Sequence, residues 1–304
     1  MLLIYVLSCK GVEILTKLDN KTTLAANCID LHTHSNASDG TMTPTEVVNL
    51  AAKSGLLAIA LTDHDTVAGV DEAVKCADNL PIEVIPGIEL SAGYKDGDIH
   101  ILGLYIDYKS ELLEEMSKNI IEERTWRNQK MVDNLSQAGI DITLDRIYGD
   151  NPDTVVTRAH FSRYLISRGI VKDTKEAFDK YLGTHTPYFV KRRYLTPEEC
   201  VRLILDCGGV PVLAHPIIYN LPAKELEDLV TRLVAAGLKG IEAIYSTYTN
   251  QDEDIVRSIA HRHSLIITGG SDFHGSNKPD ISIGTGRGNL QVPYSILQEI
   301  KQLL

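Results

Sequence analysis

Seven short apolar runs divide the chain, and segments with the apolar spacing of amphipathic helices lie between many of them. Runs of this length predict β-strands. The predicted strands are residues 28–31, 57–61, 82–85, 99–106, 210–213, 240–244 and 265–268. The predicted helices between them are residues 45–54, 67–79, 197–207, 224–236 and 252–263. Strands that alternate with helices predict a parallel α/β architecture, and with seven such strands a barrel.

The alternation stops between residues 108 and 190. That stretch has the pattern of one long helix, 111–138, followed by two shorter helices at 158–167 and 175–182. We therefore predict a helical insertion after the fourth strand. The predicted organisation is an N-terminal extension of unknown role (1–27), a barrel (28–107 and 191–304) and an insertion that forms a substrate-binding cap (108–190).

Histidines and acidic residues cluster at the ends of the predicted strands. His32 and His34 are two residues apart at the end of the first strand, so both side chains point to the same side. The loops that follow the strands of a parallel barrel build its active site. The other predicted metal ligands are Asp39, His64, Glu89, His100, His215, Asp272 and His274. Among these, His100 is the exception, because it lies near the start of an apolar run.

Imidazole and carboxylate ligands suit Mn²⁺, Zn²⁺ or Fe²⁺. No cysteine lies in these motifs, so a thiolate zinc site is not expected. Glu89 is a candidate bridge, since one carboxylate can contact two ions. Clustered divalent ions hold a phosphate and activate water near neutral pH. The series therefore predicts a polynuclear hydrolase site.

Each motif alone also has a structural explanation. Asp65 caps the predicted helix 67–79 more readily than it binds a metal. Asp39-Gly40 is a common turn, and an isolated histidine such as His100 is usually not a ligand. Turns and helix caps do not explain why all these motifs occur together at the ends of the predicted strands. For proton transfer the candidates are Asp65 and His215, although metal binding would occupy them.

Basic side chains in the insertion are candidates for substrate binding. Arg124, Arg127 and Lys130 recur at a spacing of three and share one face of the long helix. These side chains either lie in solvent on the helix surface or bind a phosphate opposite the metals. The further candidates are Arg158, His160 and the run 191–193.

Charge and cysteine content narrow the class of protein. The 304 residues carry a formal net charge of −11, which argues against general coating of nucleic acid. Half of the 30 lysines and arginines nevertheless lie in residues 105–195. Five cysteines without a CxxC pair indicate reduced thiols in a cytoplasmic protein. We expect no membrane association and no stable protein partner.

Six motifs together resemble the PHP (polymerase and histidinol phosphatase) family. They are Asp30-Leu31-His32-Thr33-His34-Ser35, Ser38-Asp39-Gly40, Leu61-Thr62-Asp63-His64-Asp65, Gly87-Ile88-Glu89, Ala214-His215-Pro216 and Gly270-Ser271-Asp272-Phe273-His274. The resemblance implies a distorted (β/α)7 barrel and two or three divalent ions, with manganese expected first and iron or zinc as alternatives. It also implies three ligand sets, which are His32, His34, Glu89 and Asp272; Glu89, His100 and His215; and Asp39, His64 and His274.

Within that family the insertion, with Arg158-Ala159-His160-Phe161, looks like that of stand-alone phosphoesterases. The resemblance implies hydrolysis of the 3′-phosphate of nucleoside 3′,5′-bisphosphates, or 5′→3′ exonuclease action on short 5′-phosphorylated oligonucleotides. Arg124, Arg127, Arg158 and His160 would orient the far phosphate. The alternatives are a histidinol-phosphate phosphatase and, from another class, a non-catalytic metal- or nucleic-acid-binding module.

Overall fold

Eight strands form one sheet in the order β7-β6-β5-β4-β3-β2-β1-β8 in this computed structural model, which describes residues 27–304 except 96, 150, 152, 153 and 194. The strands are β1 Cys28–Thr33, β2 Ala58–Leu61, β3 Glu83–Tyr94, β4 Gly97–Leu104, β5 Val210–Leu213, β6 Gly240–Tyr245, β7 Ile266–Gly270 and β8 Val292–Pro293. The helices are α1 Pro44–Lys53, α2 Val70–Ala77, α3 Glu111–Gln137, α4 Leu144–Tyr148, α5 Arg158–Ser167, α6 Thr174–Ala177, α7 Pro197–Asp206, α8 Ala223–Ala236, α9 Asn250–His263 and α10 Tyr294–Lys301.

The sheet closes almost completely into a barrel. The residues after β7 run alongside β1, where the amide of Asp272 donates to the carbonyl of His32 at 2.8 Å and the amide of His34 donates to Phe273 at 2.9 Å. The short strand β8, which the sequence pattern did not predict, pairs with β1 on the same side. The predicted α/β barrel is confirmed, with this eighth strand added.

The prediction of a parallel sheet is wrong for strand β4, which runs antiparallel to both β3 and β5. Tyr94 pairs with Gly97, so a tight turn joins β3 to β4, and only antiparallel neighbours can be joined in this way. The start of β4 therefore lies at the same end of the barrel as the carboxyl ends of the parallel strands. This orientation brings His100 to the other predicted ligands and removes the exception seen in the sequence.

Two local predictions were wrong. Strand β3 extends to Tyr94, so Glu89 lies inside this strand and does not follow it. Helix α2 begins at Val70 with Gly69 as its N-cap, so Asp65 does not cap it. Asp65 is instead fully buried, and its Oδ1 accepts a hydrogen bond from the amide of Ser91 in β3.

The insertion between β4 and α7 has a hydrophobic core of its own. Met131, Phe161, Leu165 and Leu182 are fully buried in this core, together with the side chains around them. The predicted long helix and the helix at 158–167 are present, whereas the third predicted helix is split into α6 and a π-helical turn, Phe178–Leu182. Outside this core, polar side chains of the insertion such as Arg124 and Thr157 reach the barrel, where they contact Asp65 and Asp39.

No helix among the described residues is long and apolar enough to cross a membrane. The cysteines in the same part of the chain, Cys28, Cys76, Cys200 and Cys207, form no disulfide. The predicted N-terminal extension lies outside the described residues, apart from Asn27.

Candidate metal centre

All nine predicted metal ligands converge at one end of the barrel. Their nitrogen and oxygen atoms form four overlapping groups in which every ligand atom lies within 4.8 Å of the others. The groups are His34, Asp39, His64 and His274; His32, Glu89 and His215; His32, His34 and Asp272; and His64, Glu89 and His100. The ligands come from β1, β3 and β4 and from the loops after β1, β2, β5 and β7.

Glu89 is at the centre of this cluster, with its two oxygens facing different histidines. Oε1 lies 2.9 Å from Nδ1 of His100 and 3.0 Å from Nε2 of His215. Oε2 lies 3.3 Å from Nε2 of His32, 3.2 Å from Nε2 of His34 and 3.1 Å from Nδ1 of His64. This arrangement suits a carboxylate that bridges two cations.

A further ligand group surrounds Asp39. Its Oδ1 lies 3.1 Å from Nε2 of His274, and its Oδ2 lies 3.8 Å from Nε2 of His64. The hydroxyl of Thr157 also donates to Oδ2 at 2.9 Å. Because Thr157 is the N-cap of α5, the insertion contacts the ligand cluster directly.

The donor atoms fit divalent metal ions. Buried polar atoms normally have hydrogen-bond partners, and each one that lacks a partner requires an explanation. Here both ring nitrogens of His34, Nε2 of His32, Oδ1 of Asp39 and Oε2 of Glu89 are buried without a hydrogen bond. Unpartnered imidazole and carboxylate atoms that face one another are the arrangement expected of a metal centre.

Burial and charge together show that the cluster favours a cation. Burial alone would lower the pKa of His32, but the carboxylates of Glu242, Glu89 and Asp272 outweigh it and raise this pKa well above its usual value. Burial alone would raise the pKa of Glu89, but the histidines around it, chiefly His100, lower it strongly. Glu89 is thus ionised at neutral pH, and either protons or metal ions can supply positive charge around it.

Glu242, which the sequence analysis missed, orients two ligands from inside the barrel. It is completely buried in β6, and its Oε1 lies 3.1 Å from Nδ1 of His32. Its Oε2 accepts a hydrogen bond of 2.8 Å from the amide of His215. A carboxylate on the far ring nitrogen turns the opposite nitrogen towards the metal. The signal was present, since an acidic residue inside an apolar strand requires a buried partner.

Asp272 is held in the same manner. Its Oδ2 accepts hydrogen bonds from the hydroxyl of Tyr245 at 2.6 Å and from Nζ of Lys278 at 2.5 Å. Its Oδ1 faces the ligand cluster and lies 3.3 Å from Nε2 of His34. The backbone of Asp272 has a φ of 57°, and that of His215 a φ of 28°. Such angles are uncommon for residues with a side chain and occur where the surroundings enforce them.

A cavity of about 170 Å³ adjoins the ligand cluster. Asp39, His64 and His100 line it on the metal side, and side chains from β3, β4, the insertion and the segment after it line the rest. Its basic residues are Arg124, Arg127, Arg158 and Arg192. The predicted arginines therefore lie beside the metal centre, and for Arg124 and Arg127 the alternative of a position in solvent is excluded because both are buried.

Asp65 holds two of these arginines. Nε of Arg124 donates to its Oδ2 at 2.7 Å, Nη2 of Arg192 donates to the same oxygen at 3.1 Å, and the amide of Ser91 donates to its Oδ1 at 2.7 Å. Burial alone would raise the pKa of Asp65, but the two guanidinium groups hold it at about 2. Because both oxygens of Asp65 already accept hydrogen bonds and its pKa is low, the structure does not favour the predicted role in proton transfer. Asp65 positions the arginines instead.

The remaining predicted residues have defined places. Nε2 of His215 faces Glu89, which favours metal binding over proton transfer. His160 is buried in the capping box of α5, where its Nδ1 accepts from the amide of Thr157 at 3.1 Å. It does not line the arginine cavity, so the structure does not favour direct contact with a phosphate there.

A nearly closed α/β barrel with nine convergent imidazole and carboxylate ligands defines a metal-dependent hydrolase of the phosphoesterase class. Residues 30–188 match the PHP domain family, and the chain belongs to that family. This result confirms the resemblance seen in the six sequence motifs.

Two relatives are similar over most of their length. The chain is 37% identical over 258 residues to a 3′,5′-nucleoside bisphosphate phosphatase of Chromobacterium violaceum, a match that covers 84% of this chain and 90% of the relative. It is 36% identical over 245 residues to a 5′-3′ exoribonuclease of Haemophilus influenzae, with 81% and 89% covered.

Solved structures agree with this assignment. A structure described as an amidohydrolase of Chromobacterium violaceum, with bound sulfate and no metal, superposes with a TM-score of 0.82 at 35% identity, covering 90% of this chain and 96% of the other. A structure described as a metal-dependent phosphoesterase of Bifidobacterium adolescentis gives a TM-score of 0.80 at 30% identity, with 91% and 96% covered.

Proposed function

We propose that this phosphoesterase acts on nucleotides that carry a second phosphate. The substrates would be nucleoside 3′,5′-bisphosphates, which lose the 3′-phosphate, or short 5′-phosphorylated oligonucleotides. The observation that carries this proposal is the cavity lined by four arginines directly beside the ligand cluster. It provides a place for one phosphate while another lies at the metals. The names of the two relatives agree with this class of substrate.

The metal ions would be held by the nine ligands in the three sets implied by the family. When bound, they supply electrostatic stabilisation of the phosphate oxygens and activation of water. Glu242 fixes the ring of His32, and Lys278 with Tyr245 fixes the carboxylate of Asp272. These contacts hold the donor atoms in place before substrate arrives.

The arginine cavity would orient the substrate. Asp65 holds Arg124 and Arg192, and Nη2 of Arg124 also donates a hydrogen bond of 2.9 Å to the hydroxyl oxygen of Ser91. Arginines held in fixed positions would restrict the reacting phosphate to one position relative to the metals. This restriction lowers the entropic part of the activation free energy. The insertion, residues 108–190, would thus act as the substrate-binding cap.

The two alternatives receive less support. Histidinol phosphate carries an ammonium group beside its single phosphate, and a cavity in which four arginines outnumber two aspartates disfavours this additional cation. A non-catalytic module does not require a complete set of ligands, whereas all nine are present and face one another. Manganese as the native ion and a cytoplasmic location stay predictions.

A substrate panel tests the proposal. Purified protein with Mn²⁺ would be given a nucleoside 3′,5′-bisphosphate, the matching nucleoside 3′-monophosphate, a 5′-phosphorylated trinucleotide and histidinol phosphate. We expect the first or the third to be turned over with the highest kcat/KM, because each places a phosphate in the arginine cavity. Equal rates on the bisphosphate and the 3′-monophosphate, or a preference for histidinol phosphate, would contradict the proposal.

A further inference from the structure

The ligand Asp39 is held by a residue of the insertion. Its Oδ2 accepts a hydrogen bond of 2.9 Å from the hydroxyl of Thr157, which is itself buried. Its Oδ1 is buried without a hydrogen-bond partner and lies 3.1 Å from Nε2 of His274. The contact with Thr157 therefore engages one oxygen of the carboxylate and leaves the other facing the ligand cluster.

The neighbours of Thr157 fix the direction of its hydroxyl group. The hydroxyl oxygen accepts a hydrogen bond of 3.1 Å from the amide of Ala159, because Thr157 is the N-cap of α5. Nδ1 of His160 lies 3.4 Å from the hydroxyl, but this nitrogen already accepts from the amide of Thr157 at 3.1 Å. A hydroxyl group has a single proton to donate, and here that proton is left for Asp39.

Three other hydrogen bonds dock the same segment of the insertion on the same loop of the barrel. Asn151, Thr154 and Val155 donate to backbone carbonyls of residues 36–38 at 2.8, 2.5 and 2.9 Å. These bonds end at backbone atoms, whereas that of Thr157 ends at the carboxylate of a ligand. Docking of the insertion therefore does not depend on the hydroxyl of Thr157 alone.

We infer that Thr157 is a positioning residue for the metal ligand Asp39, through which the insertion contributes to one metal site. Its hydroxyl holds Oδ2 and leaves Oδ1 for the ion. Asp272 is held in the same way, since its Oδ2 accepts from Tyr245 and Lys278. Partners of this kind orient a ligand and raise the affinity for the metal. This inference rests on the proposed metal centre and does not depend on which nucleotide is the substrate.

The test measures metal binding and does not rely on turnover. Thr157→Val keeps the shape of the side chain and removes the hydroxyl, whereas Thr157→Ser keeps the hydroxyl. Affinity for Mn²⁺ would be measured by chelator competition, and the number of ions per chain by mass spectrometry at limiting free Mn²⁺. We expect Thr157→Val to bind one ion about 10- to 100-fold less tightly and to retain one ion fewer than wild type. Thr157→Ser should bind metal as wild type does.

Thr154→Val is the matched control. Thr154 belongs to the same segment and is equally buried, with an exposed fraction of 7% against 8% for Thr157, but its hydroxyl donates to the backbone carbonyl of Ser38. We expect this variant to keep a metal affinity close to that of wild type. An equal loss in both valine variants would overturn the inference, because docking of the insertion would then be responsible.

A double-variant cycle tests whether Thr157 acts through Asp39. In an Asp39→Ala background, Thr157→Val should lower the metal affinity no further, because the carboxylate that it positions is absent. A further loss of the same size in that background would contradict the inference. Thr157→Ala removes the same hydroxyl with a smaller side chain and serves if Thr157→Val does not fold.

Wild-type metal affinity in both Thr157→Val and Thr157→Ala would refute the role of Thr157 alone. Failure of the proposed metal centre is a different result, since wild type itself would then bind less than one ion per chain. That outcome would overturn the proposed function and this inference together.

Discussion

Gly270, the last residue of β7, allows the metal centre to be disturbed without removal of a ligand. A Cβ atom added to Gly270 would lie 2.3 Å from Cβ of His32 and 2.5 Å from its backbone nitrogen. Ordinary contacts of a Cβ atom begin at 3.4 Å, so β1 at His32 and β7 must separate by about 1 Å. His32 is completely buried, and a close-packed interior has no free space to absorb this shift.

The Gly270→Ala variant should therefore lose activity because the added methyl group displaces His32. Misplacement of a catalytic group by about 1 Å can lower turnover about 100-fold. The extra methyl group should also lower the free energy of unfolding by about 1–3 kcal/mol, as overpacking of cores does. Turnover of a phosphoester, the affinity for Mn²⁺ and unfolding in urea would be measured together.

Gly97→Ala is the matched control, because a Cβ at Gly97 meets no atom within 4 Å and its backbone angle is ordinary. This variant should remain within about 0.5 kcal/mol of wild type in stability. Wild-type metal affinity and wild-type turnover in Gly270→Ala would refute the claim that the β1–β7 contact fixes His32.

Two other predictions concern residues that position the site. Glu242→Gln should weaken binding of divalent metal by about 10- to 100-fold in a chelator competition, because the neutral amide holds His32 less firmly. Glu299→Gln, at an exposed position of α10, is its control. Equal metal affinities in Glu242→Gln and wild type would count against the role of Glu242. Asp65 has a pKa of about 2 in the folded protein and of about 3.9 in the unfolded chain. Its ion pairs therefore stabilise the folded protein fully above about pH 4, and this stabilisation is lost as the pH falls towards 2. The stability advantage of wild type over Asp65→Asn, measured by urea unfolding, should thus shrink by about 1 kcal/mol between pH 7 and pH 3, and a constant difference would show that the ion pairs are not responsible.

The sequence predicted the ligand cluster because most of the ligands lie at or shortly after the end of a strand, and strand ends can be located from apolar runs. Glu89, inside β3, and His100, inside β4, are the exceptions. His32, His215 and Asp272 directly follow or end short buried runs, and the fold brings such positions together. The direction of β4 could not be predicted in the same way. It depends on a tight turn after Tyr94, whereas the continuous apolar pattern of a buried strand is the same in both directions.

Residues that act through other residues were harder to predict. Glu242 and Lys278 contact ligands that are 210 and 6 residues away in sequence. The apolar strand around Glu242 indicates that it has a buried partner, but no local pattern indicates which residue that partner is. The role of Asp65 was predicted wrongly as a helix cap, because a loop aspartate before a helical pattern usually has that function. The arginines that pair with it come from outside the barrel motifs. Arg124 lies on α3 of the insertion and Arg192 in the segment after it, so only the folded arrangement brings them to Asp65.

We infer that the nine ligands hold divalent ions and that these ions give the protein its phosphoesterase activity. The most direct test measures metal content by mass spectrometry together with turnover of a nucleoside 3′,5′-bisphosphate, before and after chelation and in His64→Ala and Asp272→Ala. We predict two or three ions per chain, loss of turnover on chelation with recovery on addition of Mn²⁺, and no turnover in either variant. A protein that binds less than one ion per chain, and whose turnover survives both chelation and the two substitutions, would contradict the account.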